Sequence, residues 1–155
     1  MKKFVKSILA LTLVLAISFA FAGCKIVILE GKWTATEMTV ETYVYADDSQ
    51  EKAIAETKVN LINAGAQFVV DIKEDGKGRA SLSVPGVDGF LSEEMNFDQD
   101  VTWSEKDGVV TVDFGNGEKL ELENNNTGKL VYQLTQESED KTTKIVVKMT
   151  FSRSK

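Results

Sequence analysis

Cys24 is the only thiol in a chain of 155 residues, and it directly follows two small residues, Ala22 and Gly23. A thiol is the side chain here that most readily forms a thioether. Small neighbours let the backbone enter a processing protease's groove. Ahead of this point stand Lys2, Lys3 and Lys6, then an apolar run from Ser7 to Ala22. A short basic region, a short apolar region and a small-residue stop make up the layout of a secretory signal. The candidate chemistry at Cys24 is therefore thioether formation on an exported chain, next to a point where a signal segment could be cut.

Phe21-Ala22-Gly23-Cys24 resembles the lipobox of bacterial lipoproteins, with Phe21 where leucine is usual. The resemblance implies a diacylglyceryl thioether on Cys24, an exported protein of the bacterial envelope, and a partner in the cell membrane or outer membrane. One acyl chain binds only reversibly, so firm anchoring needs two or more. Other readings of the same residues stay open. Ala20-Phe21-Ala22 is itself an A-x-A site, and cleavage there would leave a free thiol. An uncut segment from Ser7 to Gly23 would fall just short of the ~20 residues that span a bilayer comfortably.

The rest of the chain is poor in catalytic groups. Histidine is absent, which removes the commonest general base and transition-metal ligand. With Cys24 committed to lipid, no thiolate remains for catalysis or soft metals. We expect no catalytic residues, no metal and no cofactor, and so no enzyme. Glu93, Glu94, Asp98 and Asp100 form an acidic run that could be weighed as a calcium site or a glycosidase pair. It has no recognised loop spacing and reads as a solvated loop. Gly76-Lys77-Gly78 reads as a hairpin turn rather than a phosphate loop, because no helix follows it.

Charge narrows the partners. Residues 1–23 hold three of the 18 basic side chains and none of the 24 acidic ones, which leaves 15 against 24 and a net charge of −9. Such a chain is unsuited to nucleic acid. It suits a basic protein partner reached by electrostatic steering. With one cysteine there is no internal disulfide, so packing alone must hold the 132 residues from Cys24 onward.

The elements that would carry any site are mostly strands. After a lead-in over 24–30, Gly31–Tyr45 is rich in Thr, Val and Tyr and reads as a first strand. Trp33 and Ala35 alternate in one phase, and Met38, Val40 and Val44 in the other. A bulge near Thr36-Glu37 would reconcile them. Asp48–Gly65 reads as one short helix. Asp48 and Glu51 have capping-box spacing, and Ala55, Val59, Ile62 and Ala66 recur at steps of three and four. Seven further strands are expected at 67–73, 78–84, 100–105, 109–114, 118–123, 129–136 and 142–153. Asp-Gly and Asn-Gly pairs between them favour tight hairpins. The expected fold class is all-β with one short helix, an eight-stranded antiparallel up-and-down barrel over 31–155.

This pattern resembles the lipocalin-like lipoproteins of bacteria, within the wider calycin group. The matching stretches are Gly31-Lys32-Trp33, Phe68 through Gly78, and Val101-Thr102-Trp103-Ser104 with Asp107 through Val112. The resemblance implies that Gly31, Trp33 and Arg153 close the barrel, with Arg153 over the Trp33 ring in a cation–π contact of ~0.5–1 kcal/mol. By their alternation Phe68, Trp103, Phe114, Tyr132 and Met149 point to the apolar face. There they either line a pocket for a small apolar or amphipathic ligand or fill the interior, since eight strands allow both. The pocket makes this a ligand-binding barrel. The alternative is an interaction or enzyme-inhibitor module working through its acidic surface and loops.

Overall fold

The computed structural model describes residues 28–86, 93–125 and 127–154. Among the described residues there are nine strands: β1 (Gly31–Tyr45), β2 (Ala53–Asn60), β3 (Gln67–Ile72), β4 (Lys77–Val84), β5 (Met95–Lys106), β6 (Val109–Asp113), β7 (Lys119–Asn124), β8 (Lys129–Glu137) and β9 (Thr143–Arg153). All neighbours pair antiparallel, and β1 pairs with β9 to close the sheet on itself. The result is an eight-stranded barrel of β1 and β3–β9, compatible with the lipocalin-like expectation, plus β2 as an outlying ninth strand.

The expected helix over 48–65 is not there. Residues 53–60 form β2, which pairs with β1 from Thr39↔Asn60 to Tyr45↔Ala53. Farther down, β3 takes over the same edge of β1, from Thr34↔Val69 to Gly31↔Ile72. So β2 and β3 run collinearly as one interrupted strand, broken by a turn over 61–65. The apolar residues at helical spacing belong to different parts of this path. Val59 faces Val40 across the β1–β2 ladder, whereas Leu61 and Ala66 are buried at the turn. Asn60 Oδ1 accepts from the Ile62 and Asn63 amides and holds that turn. The capping residue proved to be Asp47 rather than Asp48, and it folds a loop: its carboxylate accepts from the Ser49 amide and hydroxyl at 3.0 and 2.6 Å. The open edge of β1 required a hydrogen-bonding partner, and that demand overrode a weak local helical pattern. The only helical element described is a single 3-10 turn at Glu74–Gly76.

The expected bulge is present. The β1–β9 register slips between Ala35 and Glu37. The slip leaves Thr36 unpaired and brings Ala35 and Met38 into the same interior, 6% and 5% exposed. Strand β5 begins at Met95, not near residue 100 as expected, so part of the acidic run lies on a strand.

The strands are unequal in length, and this shapes the molecule. Near the β1 start the interior is packed solid. Trp33, Phe151, Ile72, Leu122, Leu130, Val110 and Val112 are almost wholly buried. The Trp33 Nε1–H donates to the Leu29 carbonyl at 2.8 Å, which ties the lead-in across this closed end. At the other end β1, β2, β9 and β8 continue beyond β3–β7 and form a tall wall over the mouth. Its outer face is held by Glu41, which meets Lys58 Nζ at 2.7 Å and accepts from Tyr43 Oη at 2.8 Å. The Lys58 hydrogen bond, then that from Tyr43, holds the Glu41 carboxyl below its ordinary range.

Two outcomes test this packing. Phe151→Ala should cost about 3–5 kcal/mol in urea denaturation, the range for removing a buried aromatic side chain. Asp140 in the β8–β9 loop accepts from Ser138 Oγ at 2.6 Å and from the Thr142 hydroxyl and amide at 2.7 and 3.0 Å. The Ser138 hydrogen bond, then those from Thr142, lower its pKa from 3.8 to about 2. A carboxylate with a depressed folded pKa stabilises fully above its unfolded value and loses that contribution as pH falls through the folded one. Urea midpoints measured between pH 5 and 2 should therefore fall less steeply for Asp140→Asn than for the native chain.

Candidate functional site

The mouth of the barrel is built by one face each of β3, β5, β6 and β7. Odd-numbered positions of β5 point inward, so Phe97, Gln99 and Val101 share a face. Phe97 lies opposite Leu82 of β4. On β3 the inward phase is Phe68, Val70 and Ile72. Phe114 follows β6, and Leu120 is the first inward residue of β7.

These placements form a line of aromatic rings. Phe151 at the packed floor meets Phe68 at 5.2 Å between centroids, with planes at 73°. Phe68 meets Phe97 at 5.9 Å and 83°, and Phe97 meets Phe114 at 5.7 Å and 88°. All three contacts are edge-to-face, the arrangement that the ring quadrupole favours. Burial declines along the line. Phe151 and Phe68 are buried, while Phe97 and Phe114 are half-buried. The outer end opens into a cleft of about 520 Å3 lined by Phe68, Phe97, Gln99, Phe114 and Leu120, with Asn116, Glu118 and Lys119 at its rim. The rim is fixed locally. Asn116 Nδ2 donates to Glu118 at 2.9 Å, and Lys119 pairs with Asp113 at 3.4 Å. Gln99 Nε2 donates to the Phe114 carbonyl at 3.4 Å. An apolar floor under a few polar groups, at this volume, is the usual make-up of a small-molecule site.

The five expected lining residues do not converge on one place. Phe68 and Phe114 line the mouth cleft. Met149 is buried in the core, between Met38 of β1 and Tyr132 of β8. Tyr132 is half-buried against that core, beside the seam between β7 and β8. Trp103 lies at the opposite end. It extends past β4, and its Nε1–H donates to the Lys73 carbonyl at 2.8 Å. Trp103 thus fastens the β3–β4 turn at the closed end. Phe97 and Gln99 were missed because residues 90–99 read as irregular. The alternation Met95, Phe97, Gln99, Val101, Trp103 was the signal that could have found them.

The closure residues meet as a set, with a contact different from the one expected. Arg153 faces Trp33 in the β1–β9 ladder. Its guanidinium lies over Gly31 and donates to the Ile28 carbonyl at 3.4 Å. A Cβ on Gly31 would stand 2.8 Å from Arg153 Nε, and Gly31 has φ +129°. Only glycine suits that position. Cys24 and residues 1–23 lie outside the described residues.

Two residues of the acidic run, Asp98 and Asp100, have a structural use. Arg79 on β4 binds Asp98 through Nε and Nη2 at 2.8 and 2.9 Å, and Asp100 through Nη1 at 3.2 Å. The Asp98 contact raises the Arg79 pKa, and Arg79 in turn lowers that of Asp98. Among the described residues no three acidic groups cluster so as to hold a metal ion.

In comparisons with known proteins, no family model matches the chain and no curated protein matches it.

Proposed function

We propose that this is an exported, lipid-anchored barrel of the bacterial envelope that binds a small apolar or amphipathic molecule without catalysis. The observation that carries the reading is the aromatic line Phe151–Phe68–Phe97–Phe114, which ends in the open cleft of about 520 Å3 at the mouth. The ligand's apolar part rests on Phe97 and Phe114, and its polar part faces Gln99 and the Asn116–Lys119 rim. Because the floor is filled, the ligand sits in the mouth rather than deep in a calyx. This limits its size to what one open cleft holds, and favours a molecule with a polar end in water.

The anchor fits this arrangement. Ile28–Glu30 lead into β1 at the closed end, where Leu29 accepts the Trp33 hydrogen bond. A lipid on Cys24, four residues before Ile28, tethers the barrel by that end and turns the mouth away from the membrane. The absence of histidine and the commitment of Cys24 to lipid support a binding role over a catalytic one.

Two measurements check this. Native mass spectrometry of the chain lacking residues 1–23 should show a bound small molecule or uptake of a fluorescent fatty acid. Phe114→Glu should weaken that uptake at least tenfold while leaving the thermal midpoint within a few degrees. A chain that stays empty and ignores the probe would remove the ligand from the reading. Separately, labelled palmitate fed to expressing cells should be incorporated into the native chain and not into Cys24→Ser.

A further inference from the structure

The barrel wall is closed but not evenly. Among the described residues, strands β7 and β8 share only two residue pairs, Glu123↔Val131 and Asn124↔Leu130, near their connecting turn. Beyond that the two strands part. The other barrel ladders run through four or more pairs. The opening between them is a cleft of about 660 Å3, with Lys119, Glu121 and Glu123 on one side and Val131, Gln133 and Thr135 on the other.

The alternation of antiparallel ladders decides which backbone groups face this slot. The Asn125 amide donates to the Lys129 carbonyl, so odd-numbered residues of β8 direct their N–H and C=O toward β7. On the far side the Ser138 amide donates to the Thr143 carbonyl, so even-numbered residues of β8 serve β9. On β7 the Asn124 amide donates to the Gly108 carbonyl, so even-numbered residues serve β6. Lys119 and Glu121 therefore present their amides and carbonyls to the slot from one edge, and Gln133 and Thr135 from the other. The slot runs for four residues of β7, about 13 Å at ~3.3 Å per residue.

Strand edges are normally protected by charge, proline or a bulge. The edge of β2 has such protection, with Glu56, Lys58 and a register shift between Val44 and Tyr45. The edge of β8 has none from Tyr132 to Gln136, and it pairs with β9 without a shift. Charge in the slot is one-sided. Lys119 is committed to Asp113, while Glu121 and Glu123 are exposed and no ion pair is described for either.

The geometry points to the β7–β8 seam as a docking slot for an extended, basic peptide segment of another protein, which enters as an added strand between β7 and β8. Main-chain hydrogen bonds to Gln133 and Thr135 supply the grip. An outward side chain of the incoming strand lies beside Glu121, with Glu123 diagonal to it at the closed end of the slot, and this selects Lys or Arg there. A second copy of this chain is a poor occupant, because two bodies whose residues 24–155 each carry a net charge of −9 repel. The seam borders the mouth cleft at Lys119, and Tyr132 and Leu134 line its inner side, but the proposal rests on the backbone edges of β7 and β8 rather than on the mouth ligand.

The test uses the full chain in detergent and an eight-residue peptide of alternating Lys and Val. The peptide should bind and slow hydrogen exchange at the Lys119, Glu121, Gln133 and Thr135 amides. The same peptide N-methylated at alternate amides should bind at least tenfold more weakly, as should an alternating Glu and Val peptide. Thr135→Pro removes a slot-facing N–H and leaves the β9 ladder intact, so it should fold and lose at least tenfold in affinity. Glu121→Gln with Glu123→Gln should weaken binding and flatten its salt dependence. Absence of binding, protection at other amides, or equal affinity for folded Thr135→Pro would overturn the proposal. So would a concentration-dependent dimer that protects the same amides without peptide.

Discussion

Strand β1 belongs to three ladders, and the rest of the molecule depends on that sharing. On one side it pairs with β9 almost throughout its length. On the other it pairs with β3 near its start and β2 near its end. A strand that serves both the barrel and the tall wall has to change its path between them. The slip at Thr36 supplies the change. It absorbs one residue, restores the inward phase for Met38, and leaves Thr36 free to donate its hydroxyl to the Thr150 carbonyl. Bulges of this kind bend a strand and increase its local twist, which a sheet needs in order to close.

Closure at one end and opening at the other follow from how the large side chains are distributed. Trp33, Phe151, Ile72 and Leu130 crowd the end where the chain enters, and the lead-in crosses it. Toward the mouth the short strands stop, and the rings of Phe97 and Phe114 have neighbours on fewer sides. The mouth is thus apolar but only half-covered. The same unevenness leaves the β7–β8 ladder short. Eight strands give an interior that side chains can fill, so any binding surface moves to the rim or to the wall.

The candidate site was partly legible beforehand, and the limits have physical causes. Phe68 and Phe114 were recognised from period-two alternation, because each alternates in step with buried neighbours. Trp103 alternates in the same way, yet it sits past the end of β4, and strand phase carries no information about height along a barrel. Phe97 was hidden by the acidic residues around it, since Asp98 and Asp100 made 90–99 look like a loop. Their charges proved to be the outward face of β5, matched by Arg79 across the ladder. The helix expected over 48–65 rested on spacing within a window of small and β-branched residues. Ala53, Ala55, Thr57 and Val59 fit a strand equally well, and the open edge of β1 decided between them.

By itself the sequence determined the all-β class, the Thr36 bulge, most hairpins, and the chemical restrictions that follow from one cysteine and no histidine. These are local properties, set by alternation, turn residues and composition. Only the tertiary structure decided which strand ends rise above the barrel, which rings meet, and where one ladder stops short. Those outcomes depend on register and on unequal strand lengths around a closed circuit. Each strand's position there is fixed by neighbours far away in the chain.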